Sequence, residues 1–524
     1  MSILCDKGYI VSKNNIEEDV LKEIKKELKV KPFVRGARAR FAKGFKIYLE
    51  NDNKICLPKF YGIKKLGQPK KIDLSPGKNV SLKFNGDMRD YQIKLIDKIL
   101  PIILKQEGGI ISLPPGRGKT VIALNLLSRI KKKTLVIVHK TFLLNQWEKR
   151  INQFLPDAKV GIIQGPIVDI EGKDIVIGML QSISLKNDYN DDVFDDFGLI
   201  ISDEVHHLGA EKFSKIFQKA SAPYMIGLSA TPFRDDKLEK VIQFYIGDII
   251  HYEQPKINQE IICNLYKFNV KHAKYEVVFN KYTKEVQIST MITNLTEIEE
   301  RNNFIITLIR QARENTARKI LILSDRRDHL DFLQNKINEL NIGTTSQYVG
   351  GLKQKTLDEA EDANIIFSTY SMSSEALDIS SLNTVILATP RRKVEQSTGR
   401  ILRAEKGKYL AQPLIIDIID SLKPLMSQSY GRKSYYKKIT KQKDIHIFQY
   451  KEGEVIEEKQ KISPNENDIK SDDESNNESL FLSDSDEEVP KKISNICKKK
   501  SSKSKSKKED IDTDKESLFL SDSD

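Results

Sequence analysis

Long apolar runs and closely spaced cysteines are both missing from this 524-residue sequence. No apolar run reaches the roughly 18 residues that a membrane-spanning helix needs, and the first residues lack the apolar core of a signal peptide. The four cysteines are scattered singly, so neither a disulfide framework nor a CxxC zinc site is expected. We therefore expect a protein that acts inside the cell, has no membrane partner and binds no zinc.

Acidic residues are outnumbered by basic ones over residues 1–452 as a whole, and they are in excess over the C-terminal tail. The chain carries 86 Lys and Arg against 74 Asp and Glu, and residues 453–524 hold 13 and 20 of these, respectively. The tail has a net charge of −7 and the whole chain one of +12, so residues 1–452 carry about +19. Such a surplus attracts polyanions through counterion release, and nucleic acid is the expected partner. Residues 1–84, with 20 basic and 9 acidic residues, form either a nucleic-acid grip or a surface of solvated lysines.

Short apolar runs alternate with amphipathic helical patterns in two parts of the chain. Within 85–250 the runs at 110–113, 134–138, 174–179, 199–202 and 224–228 predict buried parallel strands. The alternation stops over 251–297, which we assign to a connecting segment, and it restarts over 298–452. The pattern predicts two tandem α/β domains, each a doubly wound parallel sheet, after a small basic N-terminal domain at 1–84.

Residues 453–524 have no hydrophobic periodicity and consist mainly of Ser, Asp, Glu, Lys and Asn. This composition predicts a disordered tail, because the segment cannot bury enough apolar surface to fold. The nine residues ESLFLSDSD occur twice, at 478–486 and 516–524. They form either a duplicated docking peptide for a protein partner, which would add avidity, or a duplication of low-complexity sequence without a partner.

A glycine-containing loop follows the apolar run at 110–113 and leads into a predicted helix. The loop consists of Leu113, Pro114, Pro115, Gly116, Arg117, Gly118, Lys119 and Thr120. Glycines let backbone N–H groups face a phosphate, the lysine reaches the β/γ-phosphates of a nucleotide, and the threonine hydroxyl holds Mg²⁺. The first glycine of the GxxxxGK[ST] pattern is replaced by Leu113. ATP and Mg²⁺ are the expected ligands.

Two adjacent carboxylates follow the apolar run at 199–202, where the carboxyl end of a parallel strand would lie. Asp203 is expected to hold Mg²⁺, and Glu204 to polarise the attacking water. An Asp-Glu pair after a strand is often only a helix cap. The phosphate-binding loop favours the interpretation as a hydrolase.

Further motifs follow in order over residues 89–403, and together they resemble those of the superfamily 2 helicases. The resemblance implies that both α/β domains are RecA-like and that Gln92 reads adenine. Lys140 stands in a sequence similar to motif Ia, and Gln181 and Ser182 in one similar to motif Ib, which contact the nucleic-acid strand. The sequence from Asp203 to His206 resembles a DExH-type motif II.

Residues that couple ATP to the strand are implied by the same resemblance. Ser229-Ala230-Thr231 matches motif III, in which Ser229 and Thr231 would relay the nucleotide state. We interpret His206 as an interdomain polar contact, because no second ligand lies at the spacing of a metal site. Gln396 opens a sequence similar to motif VI and is assigned to coupling.

The second domain is expected to supply its own ATP and strand contacts. Thr369 to Asp378 resembles motif V, with Thr369 assigned to nucleic acid and Asp378 to ATP, although Ala376 replaces the usual glycine. Arg400 and Arg403 of motif VI would approach the γ-phosphate from the second domain, and such an arginine is worth roughly 10³–10⁵ in rate. The expected catalytic residues are Lys119, Asp203, Glu204, Arg400 and Arg403.

The residues in these motifs resemble those of the XPB-type and UvsW-like branch. They are especially similar to those of the poxvirus-type transcript-release helicases of large DNA viruses. This implies a DNA helicase or translocase, with 3′→5′ polarity, in transcription or in repair and recombination. It also implies a viral protein that is packaged in the virion and acts in the infected cell. Two alternatives are an RNA or RNA–DNA hybrid helicase and a recruitment factor that acts through its tail and uses ATP as a switch.

Aromatic residues near basic ones are further candidates for nucleic-acid contacts. Trp147 either stacks on a base or belongs to the core. Lysines and arginines interleave with aromatics over 31–41, as in a nucleic-acid grip. The run from Arg432 to Lys438, with Tyr435 and Tyr436, either extends the nucleic-acid track or packs at the domain edge.

Overall fold

The computed structural model describes residues 2–34, 42–114, 116–185, 193–206, 211–230, 233–234, 236–254, 261–352, 354–375, 377, 379, 381–402, 410–451 and 453–458. Within these ranges no helix is both long enough and apolar enough to span a membrane. The tail from residue 459 onward, with both copies of the repeat, lies outside the described residues.

The N-terminal region forms a small sheet in the order β5-β6-β2-β1-β7, a two-stranded ribbon of β3 and β4, and two helices. Its elements are β1 (Ser2–Cys5), β2 (Gly8–Ser12), α1 (Glu18–Glu27), β3 (Lys29–Val30), β4 (Phe45–Lys46), β5 (Leu49–Glu50), β6 (Lys54–Leu57), α2 (Lys59–Leu66) and β7 (Lys71–Ile72).

The N-terminal region shares one hydrophobic core with the domain that follows it. Tyr9 and Ile55 belong to the same buried cluster as Ile110 and Ile246. The buried ammonium of Lys59 donates to the carbonyl of Pro223 (2.7 Å) and pairs with Glu107 (3.1 Å). Removing residues 1–84 would therefore expose apolar surface of the first α/β domain.

The first α/β domain contains a sheet whose described strands follow the order β11-β10-β12-β9-β13-β14-β8-β15, parallel except between β10 and β11. Its elements are α3 (Asp90–Gln106), β8 (Gly108–Ser112), α4 (Lys119–Ile130), β9 (Thr134–Val138), α5 (Thr141–Phe154), β10 (Val160–Gln164), β11 (Ile167–Val168), β12 (Ile175–Met179), α6 (Leu180–Leu185), β13 (Leu199–Ser202), α7 (Glu211–Ser214), β14 (Tyr224–Ser229), α8 (Glu239–Ile246) and β15 (Ile249–Tyr252).

The central strands of this sheet are buried over their whole length, as in β9, β12 and β13. Helices cover both faces of a parallel sheet, which is why its strands are continuous apolar runs. Because β8, β9, β12, β13 and β14 run in the same direction, their carboxyl ends meet at one edge. The phosphate-binding loop and the residues that resemble motifs Ia, Ib, II and III lie at or follow these ends, whereas Gln92 lies in α3, before β8.

The second α/β domain repeats this architecture with its described strands in the order β18-β19-β17-β20-β21-β16-β22-β23, parallel except for the last pair. Its elements are β16 (Ile262–Phe268), α9 (Ile288–Thr296), α10 (Glu299–Arg313), β17 (Ile320–Ser324), α11 (Arg327–Glu339), β18 (Thr345–Tyr348), α12 (Gln354–Glu359), β19 (Ile365–Thr369), α13 (Tyr370–Glu375), β20 (Thr384–Leu387), α14 (Glu395–Thr398), β21 (Leu414–Asp420), α15 (Lys423–Ile439), β22 (Ile445–Lys451) and β23 (Glu454–Glu457).

Two expectations about this domain are wrong. The segment 251–297 is not only a connector, because β16 lies inside the second sheet, between β21 and β22. The predicted disorder from residue 453 does not hold for 453–458, because β23 pairs with β22 and its backbone N–H and carbonyl groups are satisfied there. The strand β16 pairs with segments that are distant in the chain, whereas β23 forms a hairpin with the preceding strand β22.

Candidate functional site

The phosphate-binding loop lies between the carboxyl end of β8 and the first turn of α4. Gly116 and Gly118 have φ angles of 79° and 73°, in the left-handed region that favours glycine. A Cβ atom on Gly118 would lie 2.4 Å from Nε2 of Gln92. Lys119 and Thr120 open α4, whose free N–H groups favour an anion. Pro115 lies outside the described residues.

Leu113 has a structural place in this loop. Its side chain is fully buried, and its N–H donates to the carbonyl of Ser229 over 3.0 Å. The leucine therefore fills core volume where the sequence pattern has a glycine. Pro114, which follows it, is half-buried.

Gln92 and Arg117 hold the loop in place. Gln92 accepts from the N–H of Arg89 (3.0 Å) and donates to the carbonyl of Arg117 (3.3 Å). The hydroxyl of Tyr91 donates to the same carbonyl (2.9 Å), and the Arg117 guanidinium lies 3.6 Å from the centre of the Tyr91 ring. Arg117 also pairs through two nitrogens with Glu253, at 3.1 and 3.0 Å. No sequence pattern predicted this role of Glu253, which lies 136 residues from Arg117.

The two carboxylates after β13 face the loop. The ammonium of Lys119 lies 3.4 Å from Oε1 of Glu204. Oδ1 of Asp203 accepts from the N–H of Glu204 (2.9 Å), and Oδ2 accepts from the indole N–H of Trp147 (2.8 Å). Glu204 has a φ angle of 46°. This conformation is strained for a residue with a side chain and is typical of functional sites.

The surroundings push the pKa values of these carboxylates in opposite directions. Burial and the charge of Glu204 raise the pKa of Asp203, although the Trp147 N–H and Lys119 act against the shift. Burial would also raise the pKa of Glu204, but the charge and the hydrogen bond of Lys119 outweigh it, and that pKa falls to about 2. Glu204 is therefore charged at neutral pH, whereas at Asp203 burial and the neighbouring charge of Glu204 outweigh Lys119. Together with the Thr120 hydroxyl, Asp203 offers the oxygen ligands that Mg²⁺ prefers.

His206 and Ser229 connect the carboxylates to the neighbouring strand β14. Nδ1 of His206 lies 3.1 Å from the hydroxyl of Ser229 and 3.4 Å from Oε2 of Glu204. Burial and nearby cations, including Arg234, lower the pKa of His206, so the ring is neutral. The N–H of Ala230 also donates to Glu204. The structure thus brings these predicted coupling residues together, while Thr231 lies outside the described residues.

The predicted strand-contacting residues of the first domain follow β9 and β12. Lys140 precedes α5, and its ammonium lies 5.9 Å from the centre of the Phe142 ring. Gln181 donates to the carbonyl of His139 (2.8 Å), and the hydroxyl of Ser182 accepts from the N–H of Gly165 (2.8 Å). All three side chains lie at the same sheet edge as the phosphate-binding loop.

Trp147 does not stack on a base. Its side chain is only 1% exposed and packs in the core of the first domain, so no ring face is accessible to a nucleotide. Instead, its N–H fixes one oxygen of Asp203. Trp147 is the single tryptophan of the chain, and no other feature of the sequence pointed to this role.

The second domain places Thr369 at the end of β19, where its hydroxyl lies 3.2 Å from that of Ser371. Gln396 lies in α14 and is half-buried. Arg400 lies in the 3₁₀ turn Gly399–Leu402, of which the structure describes the backbone at this position. Asp378 and Arg403 lie outside the described residues, as does Ala376.

The run from Arg432 to Lys438 packs against the second domain at its buried positions. Arg432 is 2% exposed and pairs through two nitrogens with Asp417, at 2.8 and 3.0 Å. The buried hydroxyl of Tyr436 donates to the same carboxylate (3.0 Å), and that of Tyr435 lies 3.1 Å from the hydroxyl of Thr398 in motif VI. These three side chains support α14 and β21 rather than form a nucleic-acid track.

Comparison with known proteins agrees with this arrangement. The family model described as the res subunit of type III restriction enzymes matches residues 85–234. The chain is 40% identical over 445 residues to the ATP-dependent RNA helicase L396 of Acanthamoeba polyphaga mimivirus, covering 82% of this chain and 84% of the relative.

Two further relatives are more distant or match a shorter segment. Identity to the ATP-dependent RNA helicase QP509L of African swine fever virus (isolate Tick/Malawi/Lil 20-1/1983) is 28% over 382 residues, which is 67% of this chain and 72% of the relative. Identity to the DNA 3′-5′ translocase XPB2 of Sulfurisphaera tokodaii is 38% over 167 residues, which is 32% of this chain and 35% of the relative.

The mimivirus match extends over most of both chains and includes the phosphate-binding loop and both α/β domains. An ATP-dependent helicase uses ATP as its substrate and acts on nucleic acid. The chain therefore belongs to the superfamily 2 helicases, in one family with the mimivirus ATP-dependent helicase, and is an ATP hydrolase.

Proposed function

We propose that this helicase is a DExH-type motor of the XPB-type and UvsW-like branch that moves on DNA with 3′→5′ polarity. The observation that carries the proposal is the arrangement of Lys119, Asp203 and Glu204 at the carboxyl edge of the first sheet. The match to a protein named DNA 3′-5′ translocase XPB2 and the charge of about +19 outside the tail support DNA as the track.

In this proposal the residues of the phosphate-binding site divide the work of hydrolysis. Backbone N–H groups between Gly116 and Thr120 cradle the phosphates, and the Lys119 ammonium reaches the β/γ-phosphates. Glu204, charged because of its low pKa, holds and polarises the attacking water. Arg400 and Arg403 approach from the second domain and stabilise the developing charge.

Thr120 and Asp203 would hold Mg²⁺. When bound, the ion neutralises charge on the phosphate oxygens. Asp203 fits this role because its carboxylate lies beside Glu204, and burial and that neighbouring charge, which raise its pKa, would be offset by a bound cation. Among the described residues, no three His, Cys, Asp or Glu side chains cluster as metal ligands. An ion held by one carboxylate, one hydroxyl and the nucleotide is the usual arrangement for Mg²⁺.

His206 and Ser229 would carry the state of the nucleotide to the strand-contacting surface. The His206 ring touches both Glu204 and Ser229, so a change at the carboxylate shifts a hydrogen bond at the end of β14. Thr231 would continue this relay, and Gln396 would receive it on the second domain. Lys140, Gln181, Ser182 and Thr369 would contact the strand. Closure of the two domains then couples hydrolysis to movement.

The proposed biological setting is viral transcription, at the step of transcript release, or repair and recombination. Relatives in mimivirus and African swine fever virus support a viral protein that acts in an infected host cell. We extend this to packaging in the virion. The repeated tail peptide would recruit a protein partner.

Steady-state ATPase with single-stranded DNA, duplex DNA or RNA at matched salt tests the choice of track, with Glu204→Gln as the blank. Stimulation mainly by DNA is expected. Stimulation mainly by RNA would favour the second candidate, an RNA or RNA–DNA hybrid helicase. The names of the viral relatives, which are RNA helicases, support this candidate. Stimulation by no polymer would favour a recruitment factor that uses ATP as a switch.

A further inference from the structure

A short β-hairpin projects from the second domain between β16 and α9. Phe279 pairs with Val286 in an antiparallel bridge. The N–H of Asn280 donates to the carbonyl of Glu285, and the N–H of Gln287 donates to that of Val278, both over 2.8 Å. The segment is therefore an ordered hairpin rather than an open loop.

The tip of the hairpin is fixed by its own hydrogen bonds. Oδ1 of Asn280 accepts from the N–H groups of Tyr282 (2.9 Å) and Thr283 (3.0 Å). The N–H of Lys284 donates to the carbonyl of Asn280 (3.0 Å), and Lys284 has a φ angle of 56°. A tip fixed in this way loses little conformational entropy when it binds a ligand.

Two aromatic side chains are held out into solvent by this tip. Tyr282 is 94% exposed and Phe279 is 55% exposed. Lys281 and Lys284, on either side of Tyr282, are also exposed. Residues 271–287 contain four lysines and two glutamates, a net charge of +2. Exposed aromatic rings between lysines are typical of surfaces on which single-stranded nucleic acid stacks.

The base of the hairpin is anchored to the sheet. The buried hydroxyl of Tyr275 donates to the carbonyl of Phe268, at the end of β16, and accepts from the N–H of Ser421, both over 2.7 Å. These bonds hold the hairpin at the carboxyl end of β16.

A second anchor ties the segment after the hairpin to the edge that carries Thr369. Arg326, which follows β17, donates to the carbonyl and hydroxyl of Ser289 (2.7 and 2.9 Å) and to the hydroxyl of Thr293 in α9 (2.9 Å). The ends of β17 and β19 lie side by side, with Ser324 opposite Thr369. The hairpin is thus connected to the edge at which the strand is expected.

We propose that Tyr282, at the tip of this hairpin, stacks on an unpaired base of the nucleic acid where single strand meets duplex. This inference rests on the proposed function, because it assumes a nucleic-acid track along the carboxyl edges. Lys281 and Lys284 contact the neighbouring phosphates. Bases inside an intact duplex are stacked on each other, so the hairpin engages only unpaired ones.

The test compares the affinities of wild type, Tyr282→Ala and Tyr282→Phe for a single strand, a forked duplex and a blunt duplex of the polymer that stimulates the ATPase. Tyr282→Ala should weaken binding to the single strand and the fork about tenfold, in the range of one base stack. Its affinity for the blunt duplex should stay within twofold. Tyr282→Phe keeps the ring and should bind like wild type.

Tyr430→Ala removes another exposed tyrosine, 61% exposed on α15, and serves as the matched control without an effect. Unchanged binding of Tyr282→Ala to the fork, or an equal loss on the blunt duplex, would overturn the stacking contact and turn attention to a protein partner of the hairpin. The proposed function would still stand if wild-type ATPase is stimulated mainly by DNA. A wild type that no polymer binds or stimulates would overturn both proposals.

Discussion

The ion pair Arg301–Asp420 in the second α/β domain and the pair Lys119–Glu204 in the first are bonded to very different degrees. In the second domain Arg301 bonds Asp420 at 2.8 and 3.0 Å and the carbonyl of Ala388 at 2.8 Å, with both side chains fully buried. In the first domain Lys119 reaches only one oxygen of Glu204, at 3.4 Å, and both side chains are partly exposed. Oε2 of Glu204 is buried and accepts no hydrogen bond within the described part of the chain.

This difference separates charges that support the fold from charges that are available for chemistry. A fully bonded buried pair has nothing left to offer a ligand, and breaking it leaves an uncompensated charge. Incompletely bonded groups at a cleft keep their capacity for phosphate, water and metal ion. This supports the proposed site at Lys119 and Glu204, while Arg301 and Arg432, which are fully paired, keep the second sheet and α14 in place.

The largest effect on stability is expected from breaking a paired charge. Arg301→Met should lower the free energy of unfolding by about 3–5 kcal/mol, because the Asp420 carboxylate stays buried without a partner. Lys119→Met should cost less stability than this, because both side chains are partly exposed and water can reach the Glu204 carboxylate, although it is expected to remove ATPase activity. Denaturant unfolding of both variants measures the contrast, and equal losses would contradict it.

A smaller effect is expected from the neutral His329 in the second domain. Its ring bonds Ser324 and Asn302, both at 3.0 Å, and burial and the nearby Arg301 lower its pKa from 6.5 to about 3. Below pH 6.5 the unfolded chain binds a proton that the folded chain does not bind, so stability falls as the pH falls towards 3. At pH 5 this loss amounts to about 2 kcal/mol.

The variant His329→Asn should lose about that much less stability than wild type between pH 7 and pH 5. Denaturant unfolding at the two pH values gives the comparison. Parallel losses in both proteins would show that His329 takes up a proton in the folded state.

The smallest effect is expected at the link between Trp147 and Asp203. Trp147→Phe removes a hydrogen bond to a charged group and should lower kcat about tenfold while the KM for ATP stays near that of wild type. The Trp147 N–H lowers the pKa of Asp203. Its loss raises that pKa further, so the acid limb of the pH–rate profile should move to higher pH. An unchanged profile would assign Trp147 to packing alone.

Local patterns were sufficient for much of the fold. The apolar runs at 134–138 and 199–202 and the amphipathic stretch at 141–154 predicted the strands β9 and β13 and the helix α5 with their observed bounds. These elements are long or uniformly apolar and lie between helices and parallel strands. The strand β16 was missed because its place between β21 and β22 depends on pairing partners more than 150 residues away.

The motif residues of the candidate site were predictable from the sequence, but the residues that hydrogen-bond to them were not. Lys119, Asp203 and Glu204 were predicted to lie in one site because they follow the carboxyl ends of the parallel strands β8 and β13. It gave no sign that Trp147 bonds Asp203 or that Glu253 bonds Arg117, because these contacts span 56 and 136 residues. Contacts of this kind depend on how the helices pack, which no local pattern contains.

The most direct test of the reactive site is the hydrolysis and binding of ATP by Glu204→Gln, each measured beside wild type at saturating nucleic acid. In the proposed mechanism the charge on Glu204 polarises the attacking water and does not hold the nucleotide. Hydrolysis should therefore fall by about 10²–10⁴-fold, while the Kd for ATP stays within about threefold. Turnover close to that of wild type would contradict the role of Glu204 and the interpretation of the incompletely bonded charges as the catalytic ones.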